Sequence, residues 1–421
     1  MTLLLIIAAA LGLMLIGTPV FVVISGLALY LFIASGIDVS AFIIELHRLA
    51  TTPVLVAIPL FTFAGYLLSA SDAPRRLIRF ADALLGWIPG GLSVMALLTC
   101  AVFTALTGAT GLTIIALGGI LLPAMMRGKY PEMFSLGLLT TSGTLGLLFP
   151  PSLPLIVYAV VAKVGIDQLF VAGLLPGILL MALLSAYSIR VAVKERVPKT
   201  RFLARDLAAA LRESLWELPL PFVVLGGIYT GHVAVSEAAA ITAMYVLVVE
   251  VLILRDIRWQ ALPEIMKQSM VLVGGVLIIL GAAMGLTSYL IDAEIPMQML
   301  DLFKAHIESR WLFLGVLNVF LLVVGCTMGI FSALVVVVPL LAPVAQAYGI
   351  DPIHLGIIFL TNLEIGASIP PLGINLFIAG MRFERPVLKL YVASLPFVAL
   401  LLFALAIITY LPWLSLVLVR R

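Results

Sequence analysis

Thr107-Gly-Ala-Thr-Gly111 and Ser142-Gly-Thr-Leu-Gly146, the second running into Pro150-Pro-Ser152, interrupt apolar runs long enough to lie inside a bilayer. Backbone that leaves the helix at membrane depth exposes N–H and C=O groups that lipid cannot satisfy. Such interruptions persist where they are buried in protein or line a wet cavity, and there they can hold an ion or a substrate. The stretch Phe103–Ser152 therefore reads as half of a transport site, with the rest of the chain expected to supply its counterpart and its frame.

Composition agrees with a membrane setting. Of 421 residues, 63% are hydrophobic and 11% charged, and mean hydropathy is +1.25. A soluble domain carries about 25% charged residues. Apolar runs of roughly 18 to 25 residues recur from end to end, which predicts an all-α polytopic membrane protein. The short alternating strands of an outer-membrane barrel are missing. Met1–Ile16 lacks the basic n-region of a signal peptide and reads as a retained first span. Cys100 and Cys326 lie in apolar runs and give no disulfide framework. The net charge of +3 points to no nucleic acid partner; the placement of the basic residues is what informs.

In chain order, Pro19–Ser35 is a second short span after the breaker Gly17-Thr-Pro19. Ile37–Leu49, with Asp38, Glu45, His47 and Arg48, suits an interfacial helix. Thr52–Ala70 is a third apolar segment, and Arg75, Arg76 and Arg79 beside Leu77, Ile78 and Phe80 form a basic amphipathic piece. After Trp87-Ile-Pro-Gly-Gly91, two apolar limbs of about 16 residues, roughly 24 Å of helix each, flank Thr107–Gly111. Each is just short of a crossing, so residues 91–126 read as a re-entrant hairpin, with a pair of ordinary spans as the alternative. Residues 132–163 form one crossing broken at Pro150-Pro151, and Leu169–Val193 returns. Seven basic residues between Arg190 and Arg212 are the strongest cytoplasmic mark and divide the chain into halves, 1–210 and 211–421.

An offset of 220 residues carries landmarks of the first half onto the second: Gly65 onto Gly285, Thr107 onto Thr327, Pro123 onto Pro343, Gly146 onto Gly366, Pro150-Pro151 onto Pro370-Pro371 and Pro176 onto Pro396. The expected fold is therefore two repeats, each of about five transmembrane helices plus one re-entrant hairpin. An odd number of crossings inverts the second copy. The second hairpin then spans 310–343, with its tip at Gly325-Cys-Thr-Met-Gly329, and the second broken helix 352–381. With the 190–212 loop inside, segments 72–80, 127–129, 190–212, 255–267 and 382–389 hold 18 of the 24 Lys and Arg residues. Arg48, Lys163, Lys304, Arg310, Arg420 and Arg421 fall outside, and both termini are periplasmic.

Freed carbonyls and hydroxyls at helix C-termini suit a hard cation such as sodium, and free N–H groups at helix N-termini suit a carboxylate. Candidates in the first half are Thr107, Gly108, Thr110, Ser142, Gly143, Thr144 and Gly146; in the second they are Thr327, Asn362, Glu364, Gly366 and Ser368. Thr107, Gly108, Gly146, Thr327, Gly366 and Ser368 are assigned to sodium; Thr110, Ser142, Gly143, Thr144, Asn362 and Glu364 to substrate. The plain alternative is that Gly and Thr permit close helix packing. Glu364 is equally readable as a structural hydrogen-bonding group. Ser236-Glu237 reads as a helix cap and His354 as interfacial; His47, His232 and His306 have no metal spacing. No Walker loop, His-Glu-x-x-His or Cys-x-x-Cys is present, so no enzyme is predicted and a gradient-driven process is favoured.

These segments resemble the large membrane subunit of tripartite ATP-independent periplasmic (TRAP) transporters, the DctM-like permeases. The resemblance covers nearly the whole chain. It is carried by Ile58-Pro-Leu-Phe-Thr-Phe-Ala-Gly65, Phe103-Thr-Ala-Leu-Thr-Gly-Ala-Thr110 with Leu122-Pro-Ala-Met125, Gly143-Thr-Leu-Gly-Leu-Leu-Phe-Pro-Pro-Ser152, Leu169-Phe-Val-Ala-Gly-Leu-Leu-Pro-Gly177, Gly349-Ile-Asp-Pro-Ile-His-Leu-Gly356, and Asn362-Leu-Glu-Ile-Gly366 with Pro370-Pro-Leu-Gly-Ile-Asn-Leu-Phe377. It implies sodium-coupled import of an organic acid anion (a C4-dicarboxylate, sugar acid or similar carboxylate) across a bacterial inner membrane by an elevator-type transporter. It implies two partners, a small four-helix membrane subunit (DctQ-like) and a periplasmic substrate-binding protein (DctP-like). Carried onto this chain, the family's first sodium site falls on Thr107, Gly146, Phe149 and Pro151, mainly through backbone carbonyls. Gly329 and Ile369 depart from the family pattern, and both fall at the second ion site. The alternative reading is a stand-alone sodium/dicarboxylate symporter of similar inverted-repeat architecture.

Overall fold

A computed structural model describes residues 12–13, 18–199, 202–370 and 373–419. The expected first span Met1–Ile16, Pro371, Arg201, Arg420 and Arg421 lie largely or wholly outside the described residues, as do both predicted periplasmic termini. Among the described residues all regular structure is helical. Among the described residues, seven helices are long and apolar enough to cross a membrane, and nine if two bent pairs each count as one span. The chain is thus a multi-pass membrane protein.

The first half runs α1 (Val20–Ala34), α2 (Ser40–Ala50), α3 (Ala57–Ala70), α4 (Ala73–Leu85), α5 (Gly91–Thr107), α6 (Thr110–Ala116), α7 (Gly118–Arg127), α8 (Glu132–Ser142), a 3-10 turn Leu145–Leu148, α9 (Leu153–Ala162) and α10 (Ile166–Lys194). The second runs α11 (Ala204–Glu213), α12 (Pro219–Tyr229), α13 (Val235–Leu247, ending in a π-helical turn Val248–Ile253), α14 (Leu262–Asp292), α15 (Ile295–His306), α16 (Arg310–Thr327), α17 (Ile330–Ala347), α18 (Pro352–Gly366), α19 (Ile374–Phe383), α20 (Val387–Tyr410) and α21 (Trp413–Leu416).

Element ends recur at the sequence offset of 220: Thr107 and Thr327 end α5 and α16, Thr110 and Ile330 open α6 and α17, and Glu132 and Pro352 open α8 and α18. Two differences stand out. The second limb of the first hairpin is not one helix; α6 and α7 meet at 48°. Gly118 and Gly119 sit at that bend, where added Cβ atoms would strike the Phe383 ring and the Arg382 guanidinium. A glycine pair weakens the helix there, and the neighbouring α19 fills the concavity. Conversely, the counterparts of α2 and α3 are fused into the single 31-residue α14.

Two groups of helices pack among themselves. α1, α2, α3, α13 and α14 form one; α5 to α10 with α16 to α21 form the other. They meet where α3 lies on α5 and where α14 lies on α17. The amphipathic helices α4 and α15 connect one group to the other in chain order.

The basic piece at 75–79 is not simply solvated. Arg76 is 14% exposed and reaches Glu217 (2.5 Å), Glu250 (3.1 Å) and Asp256 (2.5 Å), which pins α4 to the start of α12 and the end of α13. His354, in the first turn of α18, is buried, with Nδ1 3.1 Å from Ser415 Oγ and Nε2 3.3 Å from the Thr409 carbonyl. The Glu237 carboxylate accepts the Ala234 N–H at 2.8 Å, the helix-capping role expected of it.

Candidate functional site

The first hairpin tip is built by close backbone approach. α5 ends at Thr107, and Gly108 takes φ +65, a conformation that favours glycine, so the chain can turn into α6. A Cβ on Gly108 would lie 2.5 Å from the Leu153 side chain, the first residue of α9. A Cβ on Gly65 of α3 would lie 2.6 Å from both the Leu106 carbonyl and the Thr107 Cα. Helix α3 therefore seals the tip, and Thr107 is fully buried.

The broken helix closes on the same point. A Cβ on Gly146 would stand 2.3 Å from the Ala101 carbonyl and 2.5 Å from Thr104 Cβ. Thr104 Oγ1 donates to the Gly143 carbonyl (2.8 Å) and pairs with Thr113 Oγ1 (2.6 Å), so one hydroxyl staples both limbs of the hairpin to the break. The Leu148 carbonyl abuts Gly173 of α10, and the Phe149 ring lies over Gly177. Beyond it the chain is extended through a cis Pro150-Pro151 bond into α9.

Three polar atoms buried here have no hydrogen-bond partner among the described residues: Thr107 Oγ1, Ser152 Oγ and Glu364 Oε1. Buried polar groups are nearly always satisfied, and an orphan marks a place for an ion, a water or a ligand. The backbone of Leu147 and Leu148 offers hydrogen bonds to the Glu364 carboxyl, so the second broken helix touches the first. Thr110 Oγ1 donates to Asn375 Oδ1 (2.8 Å), and Asn375 also reaches Ser368 Oγ (3.5 Å) and takes the Ala367 carbonyl on its backbone N–H (3.1 Å). Thr107, Gly108, Thr110, Gly143, Gly146, Phe149, Pro151 and Ser152 thus surround the first tip and its break, while Ser368, Asn375 and Glu364 approach from the second half.

Other candidates sit apart from that cluster. Ser142 Oγ bonds back to the Leu139 carbonyl (3.3 Å) and Thr144 Oγ1 to that of Thr141 (2.8 Å). Asn362 joins Asn318 (2.7 Å), which pairs with Thr409 (3.0 Å), a network linking α16, α18 and α20. At the second tip, Gly366 packs on Gly325, where a Cβ would lie 2.7 Å from the Gly325 Cα. Thr327 is exposed, its hydroxyl turned back to the Val323 carbonyl (2.9 Å), and nothing crowds Gly329. The two tips are therefore alike in sequence position and unlike in setting.

The donor set of the first tip consists of hydroxyls and carbonyls. Hard monovalent cations take such oxygens, and transition metals prefer imidazole or thiolate. No group of three or more His, Cys, Asp or Glu residues that could hold a metal occurs among the described residues. Sodium fits the residues present.

The family model for the tripartite ATP-independent periplasmic transporter DctM component matches residues 6–414. The chain belongs to the DctM family. The permease is 37% identical over 392 residues to the C4-dicarboxylate TRAP transporter large permease protein DctM of Pseudomonas aeruginosa, covering 93% of this chain and 92% of that one. It is 33% identical to the isethionate TRAP transporter permease protein DctMQ of Oleidesulfovibrio alaskensis (94% of this chain, 63% of that one). With the sialic acid TRAP transporter large permease protein SiaM of Vibrio cholerae it shares 30% identity, over 86% of each chain. Among solved structures, the YdaH transporter of Alcanivorax borkumensis superimposes with a TM-score of 0.63 at 15% identity, over 88% of this permease and 87% of that chain, a likeness of fold alone.

Asn375 and Thr104 escaped the sequence reading of the site. Asn375 follows the Pro370-Pro371 pair, and its partner Thr110 is 265 residues away. Thr104 carried a usable signal, a second threonine one helical turn before Thr107 on the same face of α5.

Proposed function

We propose that this permease imports an organic acid anion in symport with sodium across a bacterial inner membrane. The observation that carries the reading is Thr107, a buried hydroxyl without a partner at a backbone break that frees carbonyls around it. Sodium entering there would satisfy Thr107 Oγ1 and the oxygens near Gly146, Phe149 and Pro151. It would draw the hairpin tip onto the broken helix and so couple ion binding to site closure. The relatives named for C4-dicarboxylate, isethionate and sialic acid handle compounds that share an acidic group, which supports an anionic cargo. Thr110, Asn375 and Ser368, bridging the two halves, are the polar groups that would orient it.

The element ends that recur 220 residues apart and the distribution of basic residues support two inverted repeats. The separation into two helix groups supports an elevator, in which the group bearing both hairpins slides against the other. The arms α4 and α15 would carry the movement. A small four-helix membrane subunit and a periplasmic binding protein complete the working assembly.

The test is uptake by the assembled complex in proteoliposomes with an imposed inward sodium gradient, against a panel of organic acids. Thr107→Val should lower sodium-driven uptake about tenfold or more, a loss of ~1.4 kcal/mol or more. Wild-type uptake that ignores the sodium gradient would refute the coupling.

A further inference from the structure

The end of α10 and the connector to α12 carry Arg190, Lys194, Arg196, Lys199, Arg205 and Arg212, and none of these forms an ion pair among the described residues. The arginines of α4 beside the connector are all engaged. Arg75 pairs with Asp72 (3.4 Å), Arg76 with its three carboxylates and Arg79 with Glu213 (2.6 Å).

The two sides of α11 account for this segregation. Asp206, Ala209, Ala210 and Glu213, at i, i+3, i+4 and i+7, line the crevice with α4. Glu213 takes Arg79 there, and Ser214 Oγ donates to the Arg76 carbonyl at 3.1 Å. Both acidic residues of the helix therefore turn towards α4. The opposite side holds Ala204, Ala208, Leu211 and, just past the helix end, Leu215, one apolar stripe at i, i+4, i+7 and i+11. All four are exposed, Leu211 at 46% and Leu215 at 56%. Arg205 and Arg212, seven residues apart, edge that stripe and are exposed as well.

The helix stands at a membrane boundary. The span α10 ends before it at Lys194, and the apolar α12 starts after it at Pro219. Trp216 is exposed at the entry to α12, and the exposed rings of Trp87 and Phe202 meet edge to face at 6.4 Å. Tryptophan collects at the membrane–water boundary. An apolar stripe edged by arginines is the pattern of a helix lying in the headgroup region.

We infer that this face of α11, with Trp87, Phe202 and Trp216, rests on the cytoplasmic leaflet and binds anionic phospholipid headgroups. Lipid phosphates supply the negative charge that no carboxylate of the chain brings to Arg205 and Arg212, while the upper acyl chains cover Leu211 and Leu215. The connector runs from α10 in one helix group to α12, which leads into α13 of the other, so lipid bound here anchors the link between them. The inference is independent of the sodium and cargo readings.

The test is tryptophan fluorescence of the full-length permease in phosphatidylcholine nanodiscs containing either brominated phosphatidylglycerol or brominated phosphatidylcholine. The phosphatidylglycerol should quench more strongly, and the excess should vanish in Trp87→Phe/Trp216→Phe. An arginine beside an anionic headgroup contributes about fivefold, so Arg205→Gln/Arg212→Gln should lower the preference for phosphatidylglycerol about 25-fold. Arg205→Lys/Arg212→Lys should retain it, and high salt should weaken it. Because the four substituted side chains are exposed, thermal unfolding in phosphatidylcholine should stay at the wild-type temperature. If the glutamine variant fails to fold, the salt dependence of wild type makes the same comparison. Equal quenching by the two lipids, or an excess that survives both Arg205→Gln/Arg212→Gln and high salt, would overturn the inference. An excess that disappears when the small membrane subunit is added would also overturn it and give this face to that subunit.

Discussion

Thr107 and Thr327 each end a helix and stand 220 residues apart, yet one is sealed under Gly65 and the other is exposed. This contrast makes a prediction with two signs. An unsatisfied buried hydroxyl costs about 1–3 kcal/mol. Thr107→Val should therefore raise stability without sodium and abolish the added stability that sodium confers, both measured by thermal unfolding at low and high sodium. The equivalent Thr327→Val should change neither. Thr104→Val removes two hydrogen bonds and strands the Gly143 carbonyl, and should destabilise by ~1–3 kcal/mol by chemical denaturation. Gly146→Ala pushes a methyl against the Ala101 backbone and should cost ~1–3 kcal/mol while impairing uptake. Thr107 and Gly146 were legible in the sequence because small polar residues at a break in an apolar run have few other reasons to be there. Asn375 was not, because its role depends on Thr110, 265 residues away, and Thr104 offered only its place one turn before Thr107, since its partner at Gly143 is set by tertiary packing.

At the scale of elements, the two breaks, the amphipathic piece around Arg75–Phe80 and spans such as Leu169–Val193 followed from apolar run length, charge pattern and proline placement. The bend between α6 and α7 did not, since Gly118-Gly119 bends only because Phe383 and Arg382 press into it. Arg76 was legible as one of three arginines on an amphipathic face, but its three carboxylate partners lie more than a hundred residues away. It ties arm α4 to the first helix group, so Arg76→Ala leaves buried carboxylates uncompensated and should destabilise by ~3–5 kcal/mol. The pH response carries a sign. Burial raises the Glu217 carboxyl above its usual range even with Arg76 beside it. A group whose folded pKa is raised contributes stability at low pH and loses it as pH rises through the folded value. Without Arg76 the carboxyl rises further, so the Arg76→Ala variant should recover stability as pH falls towards the ordinary glutamate range. A thermal unfolding series across pH reads this directly, and a deficit independent of pH would contradict it.

For the whole molecule, composition and recurring apolar runs placed the chain among polytopic membrane proteins, and the resemblance carried by segments such as Ile58–Gly65, Gly143–Ser152 and Asn362–Gly366 pointed to the DctM family, which the family match bears out. The division into two helix groups was not legible, because it depends on long-range packing of helices with similar composition. The orientation proposal predicts opposite labelling of single cysteines in a background without Cys100 and Cys326. Lys163→Cys should react with a membrane-impermeant reagent applied from the periplasmic side, and Lys199→Cys only from the cytoplasmic side. The central claim is that sodium at the first hairpin tip drives import. Sodium-gradient uptake by the complete assembly, wild type beside Thr107→Val, tests it most directly. The account predicts accumulation that collapses when the sodium gradient is dissipated and that falls about tenfold or more in the variant. Equal, sodium-independent uptake by both proteins would contradict it.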